Sequence, residues 1–125
     1  MRKFRLCSVA LLAGALMTTM LVRAEDEKAK YTIEEVMKKV HGKTNLAKKL
    51  MMGRLSDDDK TTLIEYYEAL PKNKPPKGSA DDWKKRTDNL VTTAKAAISG
   101  GPAEKASFRK AVDCKSCHDA HKMED

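Results

Sequence analysis

Aromatic side chains make up only 5% of the 125 residues: one Trp, three Tyr and two Phe. β-Branched residues are also sparse, while Ala, Lys, Leu and Glu are common, and this argues against a sheet-rich core. Three Cys do not make a disulfide framework. The length gives weight to a single domain and excludes a large or multidomain enzyme. Only one long stretch lacks charge, so the chain is not a multi-span membrane protein. Nothing resembles a hydrolase triad, a phosphate loop or a pair of catalytic carboxylates. No substrate turnover is expected.

That one uncharged stretch lies at the start. Arg2, Lys3 and Arg5 precede it, it runs over residues 6–22, and Val22-Arg23-Ala24 leads into Glu25-Asp26-Glu27. A basic start, an apolar middle and small residues at the junction describe a secretory signal peptide. Cleavage is expected after Ala24, which makes 1–24 the signal and 25–125 the mature domain. The alternative is an uncleaved membrane anchor, for which 17 residues is short. In either case the basic end stays inside and residues 25–125 are exported, so the expected location is the periplasm. Cys7 leaves with the signal.

Net charge is +7 for the whole chain. Residues 1–24 hold four basic and no acidic residues, so the mature chain keeps 21 basic against 18 acidic, net +3. The charge is mixed and no aromatics are interleaved with it. Nucleic-acid binding is therefore not expected. The lysines at 38, 39, 48 and 49 form a solvated face that offers weak steering of acidic redox partners.

Helical spacing fills the mature chain. A first helix is expected over 32–52, with Ile33, Val36, Met37, Val40, Ala47, Leu50 and Met51 as its apolar stripe. Thr32 and Glu35 form a capping-box pattern at its start. Gly42 is a weak point inside it, and Gly53 stops it. A second helix starts at the cap Ser56, with Asp57, Asp58 and Asp59 in its first turn. Pro71 ends it, and the segment 71–79 is a linker that cannot be helical. A third runs over 80–99 from the cap Ser79, with a stripe from Trp83 to Ile98. Gly100-Gly101-Pro102 separates it from a fourth over 102–121. No strand signal and no internal repeat is present. The expected fold class is all-α, an antiparallel four-helix bundle. About 100 residues with few aromatics make a thin core, and a large apolar cofactor inside it would help to hold the bundle together.

The chemistry lies in Cys114-Lys115-Ser116-Cys117-His118, the CxxCH pattern of covalent haem attachment. Each thiol adds to one vinyl group of the haem, and the adjacent His lies beneath the iron as proximal ligand. Export agrees with the pattern, because bacteria attach this haem outside the cytoplasm. Three other readings compete. A Cys114–Cys117 disulfide would close a tiny loop and constrain little. A thioredoxin-like pair is expected at a helix start beside a strand, not late in a helix. Zinc could use Cys114, Cys117, His118 and His121. These span roughly 10 Å along one helix, which suits a tetrahedral site poorly.

Signal, four helices and a C-terminal CxxCH together resemble the class II c-type cytochromes, the cytochrome c′ family. The resemblance covers the whole of 25–125, and its specific part is residues 114–122. Lys122 matches the basic residue that follows the family's motif, while His121 stands where the family has an aromatic. The resemblance implies one covalent haem c enclosed by the bundle, held through Cys114 and Cys117 with His118 as proximal ligand. It also implies a choice at the sixth iron position. Some members leave that position open and bind nitric oxide or another small gas. Others fill it with a Met from the first helix and carry electrons. Met37 matches that Met, and core packing is its other reading. His41, four residues on, is a rival ligand, a hydrogen-bond donor to a propionate, or simply a partly exposed residue.

The expected function is therefore an exported monohaem electron carrier, working with redox partner proteins and with a homodimer as one option. The alternatives are a five-coordinate gas-binding protein and, behind both, a haem-free metal-binding helical protein.

Overall fold

The computed structural model describes residues 28–124. The expected signal peptide 1–24, its cleavage point and Cys7 lie outside them. Among the described residues the chain is all-helical, with no strand. Helix α1 (Ile33–Val36) continues as a π-helical turn (Met37–His41), and α2 is Leu46–Met51. Helix α3 (Asp57–Ala69) tightens into a 3₁₀ turn (Leu70–Lys72), followed by α4 (Ala80–Ser99), α5 (Pro102–Ala111) and α6 (Cys114–His121). No helix among the described residues is long and apolar enough to cross a membrane.

The starts are set by capping. Thr32 Oγ1 accepts from the Glu35 amide and Glu35 Oε2 accepts from the Thr32 amide, at 3.2 and 2.8 Å. Ser56 and Ser79 accept from the amides of Asp59 and Asp82. Each bond satisfies a donor that the first helical turn leaves without a partner.

Two expected helices are each divided. The first breaks after His41, because a Cβ at Gly42 would run into the Lys38 carbonyl oxygen. Only glycine lets the chain turn there. Asn45 then takes the left-handed conformation, with φ 40°, and caps a new helix by accepting from the Lys48 amide. The fourth breaks at Val112, and Asp113 restarts it by accepting from the Ser116 amide at 3.0 Å. Cys114 therefore opens its own helix instead of lying late in a long one. Pro71 also does not end the second helix outright. It sits inside the 3₁₀ turn, near the start where its missing N–H is tolerated.

One core runs through these elements. Val36 and Val40 come from α1 and its π turn, Leu46 and Leu50 from α2, Leu63 and Tyr67 from α3, Trp83 and Ala94 from α4, and Phe108 from α5. Each large side chain fully removed from water contributes about 1.5–3 kcal/mol. Tyr31 stacks on Tyr66, with ring centroids 3.9 Å apart, and pins the start of α1 to α3. Helix α4 packs against α5 and α3, whereas α6 has no extended backbone packing with another helix among the described residues. Side chains hold α6 instead.

The linker 73–79 helps to do this. Asn73 Nδ2 donates to the carbonyls of Tyr31 and Ala69, both at 2.8 Å, and Lys77 presents its carbonyl to His121. Gly78 has φ +83°, and a Cβ there would lie 2.5 Å from the Ala120 carbonyl and 2.8 Å from His121 Nδ1. Gly78→Ala should cost about 1–2 kcal/mol for the left-handed backbone alone, and more because α6 must move away. Urea denaturation reads this directly. An unchanged midpoint would mean that the linker does not clasp α6.

Candidate functional site

The local sequence builds the site around the first turn of α6. Asp113 caps that turn, Cys114 is its first residue, and Cys117 and His118 follow one turn on. Both thiols are free, with Cys114 exposed and Cys117 partly buried against the core. His118 is exposed. Burial pushes the Cys117 thiol up from its ordinary value, against the pull of the Arg86 guanidinium. A raised thiol holds its proton at neutral pH, the reverse of what a redox-active cysteine pair needs. The helix start that such a pair requires is present here, but no strand lies beside it among the described residues.

These residues face a cleft of about 290 Å³. Met37 and His41 of the π turn line it, with Leu70, Trp83 and Leu90 supplying apolar wall and Cys114, Cys117 and His118 supplying the α6 side. All the expected site residues therefore border one space. Met37 also packs against the core. π-Helical segments concentrate at functional sites, and this one carries both candidates for the sixth iron position. The volume lies at the lower end of small-molecule sites.

Polar groups sit at the rim. Arg86 Nε donates to Asp82 Oδ2 at 2.7 Å and its Nη1 donates to Ser116 Oγ at 2.8 Å. This ties α4 to the residue between the two cysteines. Arg86, Asn89 and Lys110 all border the cleft, a donor set suited to the carboxylates of an apolar, acid-bearing ligand. Such a lining, apolar within and cationic at the edge, fits the cofactor that the CxxCH pattern implies. A larger, open hollow of about 1130 Å³ lies between the linker and α4, but no thiol, thioether or imidazole lines it.

His121 does not join the cleft. It is 2% exposed and meets Trp83 edge-on, with ring centroids 5.3 Å apart. Its Nε2 is 2.8 Å from Asp82 Oδ2 and its Nδ1 is 3.1 Å from the Lys77 carbonyl. Both partners are acceptors, so whichever ring nitrogen carries a proton donates. These contacts hold His121 away from Cys114, Cys117 and His118, the other residues of the expected zinc reading. Among the described residues no group of three or more His, Cys, Asp or Glu side chains could hold a metal ion.

His41 is drawn into the fold by a contact that sequence spacing does not reveal. Its Nε2 lies 3.2 Å from the hydroxyl of Tyr67 on α3. Burial, together with the His118 imidazole nearby, lowers His41 from its ordinary value. Burial also raises the Tyr67 phenol, with Cys114 adding to the shift. The phenol therefore keeps its proton, and the two imidazoles, His41 and His118, are close enough to affect each other. The lysine face is partly neutralised, since Lys38 pairs with Glu34 at 2.6 Å and Lys49 with Asp59 at 3.2 Å. Exposed pairs of this kind contribute little stability.

Neither family models, curated proteins nor solved structures give a match to this chain.

Proposed function

We propose that the chain is an exported electron carrier of the class II c-type cytochrome kind, a periplasmic monohaem protein and not an enzyme. In this reading the helices form an antiparallel four-helix bundle around one covalently bound haem. One observation carries it: the CxxCH run opens its own helix on the edge of an apolar cleft whose π-turn wall carries Met37 and His41.

Each residue has a part. Cys114 and Cys117 would hold the cofactor through two thioethers, each thiol giving its sulfur to one vinyl carbon and its hydrogen to the other. His118 serves as proximal ligand. Met37 would supply a thioether ligand from the π turn, and Arg86 with Lys110 would receive the carboxylates. The bound haem supplies one-electron redox chemistry, and Met/His ligation raises its potential. Trp83, Leu70 and Leu90 exclude water from its faces.

The test is a spectrum of the purified protein, oxidised and reduced, beside a haem stain after denaturing electrophoresis. One covalent haem with a low-spin spectrum is expected. Met37→Ala should convert that spectrum to high-spin and admit carbon monoxide. A wild type that is already five-coordinate would return Met37 to core packing. The gas-binding reading would then stand in place of the carrier, and the polar His41 on the cleft wall, bonded to the buried Tyr67, is the observation that favours it.

A further inference from the structure

Tyr67 has no exposed surface, and its hydroxyl has one protein hydrogen-bond partner among the described residues, Nε2 of His41. A buried O–H without an acceptor is costly, whereas an unused oxygen lone pair is tolerated more readily. The contact is satisfied when Tyr67 donates and Nε2 accepts. A neutral imidazole carries a single proton, so that proton then resides on Nδ1. Nδ1 has no protein partner among the described residues. His41 nevertheless lines the cleft, where its neighbours on that side, Met37 and Leu70, donate no side-chain hydrogen bond. Tyr67 thus sets the tautomer, and His41 brings an N–H to the cleft from the π-turn wall, apart from the Arg86, Asn89 and Lys110 donors of α4 and α5.

We propose that His41 is the hydrogen-bond donor of this wall, holding a small acceptor ligand, a diatomic gas or a halide, at the sixth iron position when Met37 does not fill it. Tyr67 is its positioning residue. The inference rests on the haem reading above and adds to it a specificity-determining side chain. A donor at that place favours ligands that accept a hydrogen bond and stabilises a bound anion most, because the bond is then charge-assisted.

Met37→Ala is the background for the test, with haem per chain counted in every variant. In its carbon monoxide complex the C–O stretch should lie lower than in Met37→Ala/His41→Leu, because a donor to the bound ligand weakens that bond. Fluoride should bind the ferric background about tenfold or more tightly than it binds the His41→Leu variant. His41→Gln, which retains an N–H, should restore part of both effects. Tyr67→Phe should give two C–O bands, since the ring is then free to exchange tautomers, a change that mere packing does not produce. Equal stretches and equal fluoride affinities with and without His41 would overturn the assignment. So would a Met37→Ala protein that stays low-spin until His41 is also removed, since His41 would then be a ligand. A parent protein that carries no haem at all overturns the haem reading itself, and the haem count separates that outcome from the others.

Discussion

Protein carrying Cys114→Ala together with Cys117→Ala is expected to hold no covalent haem, where the wild type holds one through denaturing electrophoresis. The effect is all-or-none because both tethers are removed. Each single variant should keep one thioether and still stain. Misfolding does not account for the loss. Cys114 is exposed, and an exposed substitution usually changes stability by about 0.5 kcal/mol or less. Cys117 is partly buried, and trimming it to Ala costs about 1 kcal/mol on the area scale. Far-ultraviolet circular dichroism of the double variant should therefore still report helix. Its thermal midpoint should fall further than that small cost implies, since a ligand held only by the native state stabilises that state. A colourless wild type containing zinc would reverse the assignment outright.

Local signals were legible wherever one residue fixes one hydrogen bond. Thr32 with Glu35, Ser56 and Ser79 all cap the helices they were expected to cap. The α4 stripe buries Trp83 and Ala94 as its spacing requires. The two breaks were not read, although their caps stand in the sequence. Val40 and Ala47 are seven residues apart, so the apolar rhythm passes through Asn45 without a change of phase. The same rhythm hides Asp113 before Cys114. The consequence reaches the site, because Asp113 turns the CxxCH run into a helix start.

Tertiary contacts account for the rest. Met37 and His41 share a helix face in the sequence, and the structure sets both on one cleft. Tyr67 reaches His41 across 26 positions, and His121 reaches Asp82 across 39. No local pattern encodes either distance. Phe108, in the stripe of neither neighbouring helix, is fully buried because α5 packs along α4. His121 reads as a departure from an aromatic position, and its edge contact with Trp83 explains how the place tolerates it.

Trp83→Ala should be the most destabilising single substitution, costing about 3–5 kcal/mol. The indole is 4% exposed and joins three things at once. Its body fills the core between α3 and α4, and its edge meets His121 of α6. Its Nε1–H donates to the Leu70 carbonyl at 3.0 Å, at the point where α3 tightens into the 3₁₀ turn. Alanine leaves a cavity, takes one of two donors from the Leu70 carbonyl, which keeps the Asn73 amide at 3.0 Å, and frees His121 on one side. Domains of this size have about 5–15 kcal/mol in total, so the loss is a large share. At about 4–8 °C per kcal/mol, the melting temperature should fall by roughly 12–40 °C. Trp83→Phe separates the two contributions: it keeps most of the packing and loses the hydrogen bond, about 1–2 kcal/mol. Trp83 also lines the cleft, so the alanine variant should keep its tethered haem but show a more solvent-exposed spectrum. If Trp83→Ala and Trp83→Phe melt within a few degrees of the wild type, the core does not close around this residue, and the clasp of α6 through His121 must rest on Asp82 and Lys77 alone.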